Sequence, residues 1–133
     1  MPIAPTVRGL YLCERVEVHP TTRNLTLHGC FRTLVLAGIP TSARPFFIVA
    51  YLAGGLGDQI LTARVNRLDT MAEVYWSRTP VRFPDRLAEV RFSLRIEQCR
   101  FPVPGGYEIS LWADRELLAQ TPFTVRPLTE EQP

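Results

Sequence analysis

Three residues in this 133-residue chain come nearest to a chemical constellation: Cys13, His28 and Cys30. Thiolates and imidazoles are zinc ligands, and a closed tetrahedral site takes four of them. His28 and Cys30 are two positions apart, so on a strand they share one face. Cys13 joins them if its strand pairs so as to set it opposite Cys30. No Cys-x-x-Cys knuckle is present, and no fourth ligand is evident, His19 lying about two residue pairs away. The structural alternative is that Cys13 and Cys30 are small buried hydrophobes, a common fate of free cysteine. A cross-strand disulfide formed in air is a third outcome.

Glu14 is a second candidate, a possible buried acid. It falls among apolar positions, where a carboxylate needs a partner or takes a raised pKa. Arg32, Arg64 or a backbone amide could serve as that partner. General acid–base work needs a second positioned group, and none is evident, so a structural glutamate is the competing reading. Trp76, Trp112 and Tyr107 are the binding candidates. Trp112 alternates with Leu111 and falls on the face opposite Ile109 and Leu111, with Glu108 and Ser110. An exposed tryptophan beside arginines suits a protein-contact anchor or a platform for a sugar ring. A covering sheet or tail would make it structural instead.

Other motifs fail on their surroundings. Gly54-Gly55-Leu56-Gly57 lacks the Lys-Ser/Thr and the helix of a phosphate cradle, so a hairpin turn is expected there. Asp58, Asp69, Asp85 and Asp114 fall in separate turns, unlike the clustered oxygens of a calcium loop. Ser77, Ser93 and Ser110 have no Gly-x-Ser-x-Gly elbow.

The candidate residues must be positioned by strands. Two alternating runs flank Pro20-Thr21-Thr22-Arg23, and a two- or four-residue loop fixes their register. One face then sets Leu10, Leu12, Glu14, Val16 and Val18 against Thr33, Phe31, Gly29, Leu27 and Leu25. The other sets Tyr11, Cys13, Arg15, Glu17 and His19 against Arg32, Cys30, His28, Thr26 and Asn24. Odd-length loops would mix the faces. Strand is expected to continue from Phe31 to Leu36 and to stop at Ala37-Gly38-Ile39-Pro40.

Pro45 to Ala53 is apolar on both faces and reads as a central strand. Gln59 to Arg67 reads as the returning strand, although Leu61, Val65 and Leu68 also have helical spacing. Ala72–Trp76 and Val81–Phe83 read as short strands around Pro80. Val90, Phe92, Leu94 and Ile96 point inward from Glu89–Glu97. The apolar phase changes at Cys99 and Phe101, which predicts a bulge near Gln98. Tyr107 to Ala113, a turn at Asp114-Arg115 and Leu117 to Val125 form the last hairpin. Pro122 marks an edge or bulge within it. The expectation is an all-β, immunoglobulin-like antiparallel β-sandwich of about eight or nine strands, with Tyr107 bonding its hydroxyl to the preceding loop. Residues 1–127 are expected to form a single domain and 128–133 a disordered C-terminal tail.

Tyr11-Leu12-Cys13-Glu14 and Leu25-Thr26-Leu27-His28-Gly29-Cys30-Phe31, with the later Pro-Gly-x-Tyr step, resemble a family of small bacterial proteins. That family opens on Leu-Cys-Asp and continues through a Leu-x-Leu-x-Gly-x-Phe hairpin. The chain departs from it in having Glu14 for Asp and Arg23-Asn24 for a Gly-Lys turn. The resemblance implies a β-sandwich and no established activity.

Composition narrows the partners. The net charge of +2 does not suggest nucleic acid or an anionic membrane. All fifteen basic residues are arginine, which suits carboxylate or phosphate recognition or reflects codon bias. Arginines interleave with acids, as in Glu89, Arg91, Arg95 and Glu97, so no single-sign stripe forms. The first residues lack a basic stretch followed by an apolar core, and no apolar run approaches a membrane span. Three cysteines fit reduced thiols. The expected protein is therefore cytoplasmic, has no cofactor and is not an enzyme. It acts as an interaction or structural module on a protein partner, with self-association as one form. The alternatives are a small-ligand or carbohydrate-binding sandwich and, behind that, a metal-dependent enzyme.

Overall fold

Alternation of apolar and polar residues along most of the chain, broken by proline and glycine, produces strands and no helix among the described residues. The computed structural model describes residues 2–128. Eleven strands run in chain order: β1 (Thr6–Val18), β2 (Leu25–Cys30), β3 (Thr33–Leu36), β4 (Thr41–Ser42), β5 (Phe46–Ala53), β6 (Gly57–Arg67), β7 (Glu73–Phe83), β8 (Glu89–Ile96), β9 (Arg100–Phe101), β10 (Gly105–Ala113) and β11 (Glu116–Pro127). One sheet has the order β2-β1-β5-β8, a second β3-β11-β10-β6-β7, and the pair β4-β9 lies apart. Every pairing is antiparallel except β3 with β11, which is parallel. Nine strands have four or more residues, in line with the number expected.

The two main sheets pack face to face over one apolar core. Ile48, Leu52, Leu61, Val65, Phe101, Tyr107, Ile109 and Val125 are completely buried within it. Such burial is worth about 1.5–3 kcal/mol for each large aliphatic side chain. Phe101 fills the core beside Tyr107 and Phe123, its ring centroid 4.9 and 6.0 Å from theirs.

The opening hairpin has the expected register, with Cys13 opposite Cys30, Arg15 opposite His28 and Val18 opposite Leu25. β5 is the expected central strand, flanked by β1 and β8. Four expectations are corrected. Strand does not continue through Phe31: β2 ends at Cys30, and β3 has crossed to the other sheet. Gly54–Gly57 is a crossover rather than a hairpin turn, because β1 and β8 already occupy both sides of β5. Gly55 is buried there, and a Cβ on it would stand 2.9 Å from the Phe83 ring and 3.0 Å from Pro5.

Third, the two short strands around Pro80 are one strand, β7, at the free edge of its sheet. Ile60, the partner of Pro80, donates its N–H to Asp114 Oδ1 at 3.0 Å and accepts from Asp114 N–H at 2.8 Å. Its polar groups therefore face β10, and those of Pro80 face the open edge, where a missing donor breaks no ladder. Fourth, no bulge forms near Gln98. β8 stops at Ile96, and Gln98 takes a φ of 59° before the chain enters β9.

Pro122 obeys the same logic as Pro80. Thr124 donates its N–H to Arg32 C=O at 2.8 Å, on the side of β3. Two residues earlier, the Pro122 nitrogen faces that side before β3 begins. Of the expected tail, residues 129–133 lie outside the described residues, while Leu128 is tied down by its N–H to Leu36 C=O at 2.7 Å.

Burial pushes the Cys99 thiol up to about 12. An unfolded thiol ionises near its ordinary value of about 8.5, so between there and about 12 the unfolded state sheds a proton that the folded state keeps. Stability is fully present below that window and falls as pH rises through it. Urea midpoints measured from pH 8 to pH 11 (about that span) should decline, and Cys99→Ala should flatten the decline.

Candidate binding face

The outer face of the five-stranded sheet brings both tryptophans together with arginines. Strand phase decides this: Ile109, Leu111 and Ala113 point into the core, so Ser110 and Trp112 point out. On β6, Leu61, Ala63 and Val65 are buried, which turns Thr62 and Arg64 outward. Register completes a grid. Ser110, Arg64 and Trp76 form one row across β10, β6 and β7, and Trp112, Thr62 and Arg78 form the next.

Within the grid, Arg64 Cζ lies 5.4 Å from the Trp112 ring centroid, and Arg78 Cζ lies 5.6 Å from that of Trp76. Each contact is worth about 0.5–1 kcal/mol at an exposed site. Trp112 Nε1–H donates to Ser110 Oγ at 3.0 Å, which fixes the indole. Trp76 is 58% exposed. Arg64 Nε is 3.8 Å from Glu73 Oε1, a loose exposed ion pair. The β10–β11 turn is pinned to β6 by the two bonds between Asp114 and Ile60, so Arg115 is carried to the rim. Ile60, Thr62, Arg64, Arg78, Trp112 and Arg115 line a shallow open trough here, with Asp114. The lining holds three guanidinium groups and one carboxylate, Asp114, itself bonded to backbone, with Glu73 beside Arg64 at the edge, so arginine outnumbers acid here.

The backbone adds a second property. Ile60 faces β10, so Thr62 and Arg64 do too. Their β7 partners Arg78 and Trp76 therefore turn N–H and C=O toward the open edge. The strand that offers the side chains also offers backbone groups that no strand pairs among the described residues.

The other candidates lie elsewhere. Tyr107 is fully buried and corrects the expectation of a binding role. Its hydroxyl donates to Val103 C=O at 2.6 Å, the bond expected for that position. Burial, partly offset by this bond, holds the phenol above its ordinary pKa and keeps it a donor. Tyr107→Phe should cost about 1–2 kcal/mol by orphaning that carbonyl, read as a lower urea midpoint with unchanged slope.

Cys13, His28 and Cys30 do not converge as a metal site. Cys13 is buried, Cys30 is exposed, and His28 Nε2 is 3.0 Å from Glu17 Oε2, turned toward that carboxylate. Among the described residues no three His, Cys, Asp or Glu side chains are placed to hold a metal ion. Glu14 is exposed rather than a buried acid. It lies across Gly29, whose φ is 65° and where a Cβ would stand 2.7 Å from Glu14 Oε2. The glycine's turn breaks the ladder and releases the side chain to solvent.

Arg78, Thr62 and Arg115 were not singled out from sequence, and Arg64 was named there only as a possible partner for Glu14; it stands instead beside Trp112 and Glu73. The signal for this face is the i, i+2 spacing of Thr62 with Arg64 and of Trp76 with Arg78, visible once both segments are taken as unbroken strands.

Fold and face define an all-β sandwich with an arginine–tryptophan surface on one sheet. The chain belongs to a family of unknown function, DUF6941, whose model matches residues 9–126. No curated protein matches it. Among solved structures it is similar to a Pseudomonas fluorescens alkylpurine DNA glycosylase, AlkC, bound to DNA containing an abasic site analog. Identity is 10%, the TM-score 0.47, and coverage 88% of this chain and 30% of that one. It is also similar to a β-glucosidase from Listeria innocua, at 6% identity and a TM-score of 0.47, covering 88% and 16%. A β-glucosidase from Kluyveromyces marxianus gives 12%, 0.41, 72% and 15%. The chain thus spans less than a third of each of these proteins, and likenesses at these TM-scores carry no argument about it. No helix among the described residues is long and apolar enough to cross a membrane.

Proposed function

We propose that the protein is a non-enzymatic interaction module that binds an extended acidic segment of a partner protein along β7. The observation that carries this reading is the coincidence of Trp76 and Arg78 side chains with unpaired backbone groups of the same residues. A strand added there would hydrogen-bond to the edge, and its acidic side chains would meet Arg64 and Arg78 in bidentate fashion. The carbohydrate alternative needs open indole faces, and a guanidinium already occupies one face of each indole. We also read the protein as a cytoplasmic, single-domain, immunoglobulin-like sandwich. Three free cysteines support the compartment, and the Tyr107–Val103 bond supports the fold type.

The chain's two tryptophans both lie on this face, so intrinsic emission reports on it directly. Titration with a synthetic peptide alternating glutamate and valine should shift the emission saturably, and added salt should weaken binding. An unchanged emission with this peptide, together with a response to oligosaccharides, would reverse the choice between the two readings.

A further inference from the structure

We propose that Cys13 and Cys30 are a reactive pair that a small-molecule disulfide converts into a cross-strand disulfide, while Cys99 stays reduced. The two residues are direct partners across β1 and β2. Residues so opposed have Cα atoms about 4.5–5.5 Å apart, within the window of about 4.4–6.8 Å that a disulfide spans. All three cysteines are free. Both side chains of the pair leave the same face of the sheet, and the electrostatic influence of Cys30 is felt at Cys13. Burial first, and Cys30 second, push the Cys13 thiol up.

Their exposure differs, and the difference orders the chemistry. Cys30 is exposed on an edge strand, and a shallow groove lined by Tyr11, Phe31, Arg32 and Pro122 opens onto it. Cys13 is completely buried and closed to a reagent in solution. The Cys30 thiolate attacks one sulfur of glutathione disulfide, forming a protein–glutathione mixed disulfide and expelling one glutathione thiolate. The Cys13 thiol then loses its proton and attacks Cys30 Sγ, breaking the mixed bond and expelling the second thiolate. The protein loses two electrons and two protons; the reagent gains them as two glutathione thiols. Adjacent to the pair, the ladder is interrupted at Glu14 and Gly29, so the new bond ties the edge strand where the hairpin's own pairing lapses. Cys99 is buried in the link between β8 and β9, and among the described residues no thiol stands opposite it.

Reduced protein incubated with glutathione disulfide, quenched by alkylation and mapped by mass spectrometry, tests this. The expected product is a Cys13–Cys30 linked peptide lacking two hydrogens, with Cys99 alkylated after unfolding. Cys13→Ser should halt at the glutathione adduct on Cys30. Cys30→Ser, a change at an exposed position, should leave the native protein unmodified. Wild-type protein that halts at the adduct, links through Cys99 or resists oxidation would overturn the proposal.

Discussion

Phe101→Ala is expected to lower the stability of the protein by about 3–5 kcal/mol, the cost of a large cavity in a packed core. Phe101 belongs to a two-residue strand, β9, and draws little from its own ladder. It matters because its ring is completely buried and meets Tyr107 edge-on at 79°. Loss of the ring also removes the support on which the Tyr107 phenol aims its hydroxyl at Val103. The measurement is a urea midpoint, with an unchanged slope showing that the compactness of the two end states is unaltered. Leu87→Ala is the companion: Leu87 is 98% exposed, and its truncation should move stability by no more than about 0.5 kcal/mol.

Reversing charge at Arg64 and Arg78 together should weaken binding of the glutamate-rich peptide about 100-fold, or about 2.7 kcal/mol, by replacing two attractions with two repulsions. Both residues are exposed, so each single reversal should have a smaller effect and the fold should survive. A matching peptide with lysine in place of glutamate should gain affinity for the doubly reversed protein. Equal binding of the acidic peptide by both proteins would remove the arginines from the recognition surface.

How far these residues could be read from sequence depended on what alternation reports. Period two distinguishes inside from outside, and it placed Ile109, Leu111 and Trp112 on their observed faces. The loop parity at Thr21-Thr22 fixed the register that sets Cys13 against Cys30. Alternation is silent on which sheet a strand joins. The crossings at Phe31-Arg32 and at Gly54–Gly57 were therefore missed, and with them the placement of Arg64 and Arg78 near the tryptophans.

Two residues depart from the phase of their strand, and for Cys13 the reading as a small buried hydrophobe holds. Glu14 has the parity of the core, but the left-handed backbone at Gly29 lets it lie outward. Cys13 has the parity of solvent, yet it is fully buried, with Phe47 opposite it on β5 and Tyr11 two residues before it. The apparent helical spacing of Leu61, Val65 and Leu68 dissolved for a simpler reason: Leu68 lies beyond the end of β6 and is exposed.

Pro80 has one more consequence, for solubility. A sheet that ends in a long bare strand invites other sheets to stack against it end on end. Here the edge is interrupted within its length, since the Pro80 nitrogen has no hydrogen to give. A visiting strand finds bonding partners at Trp76 and Arg78 and then meets a gap. Under the proposed function, the edge would accept a short guest and resist open-ended growth, so the surface could stay uncovered without seeding fibres.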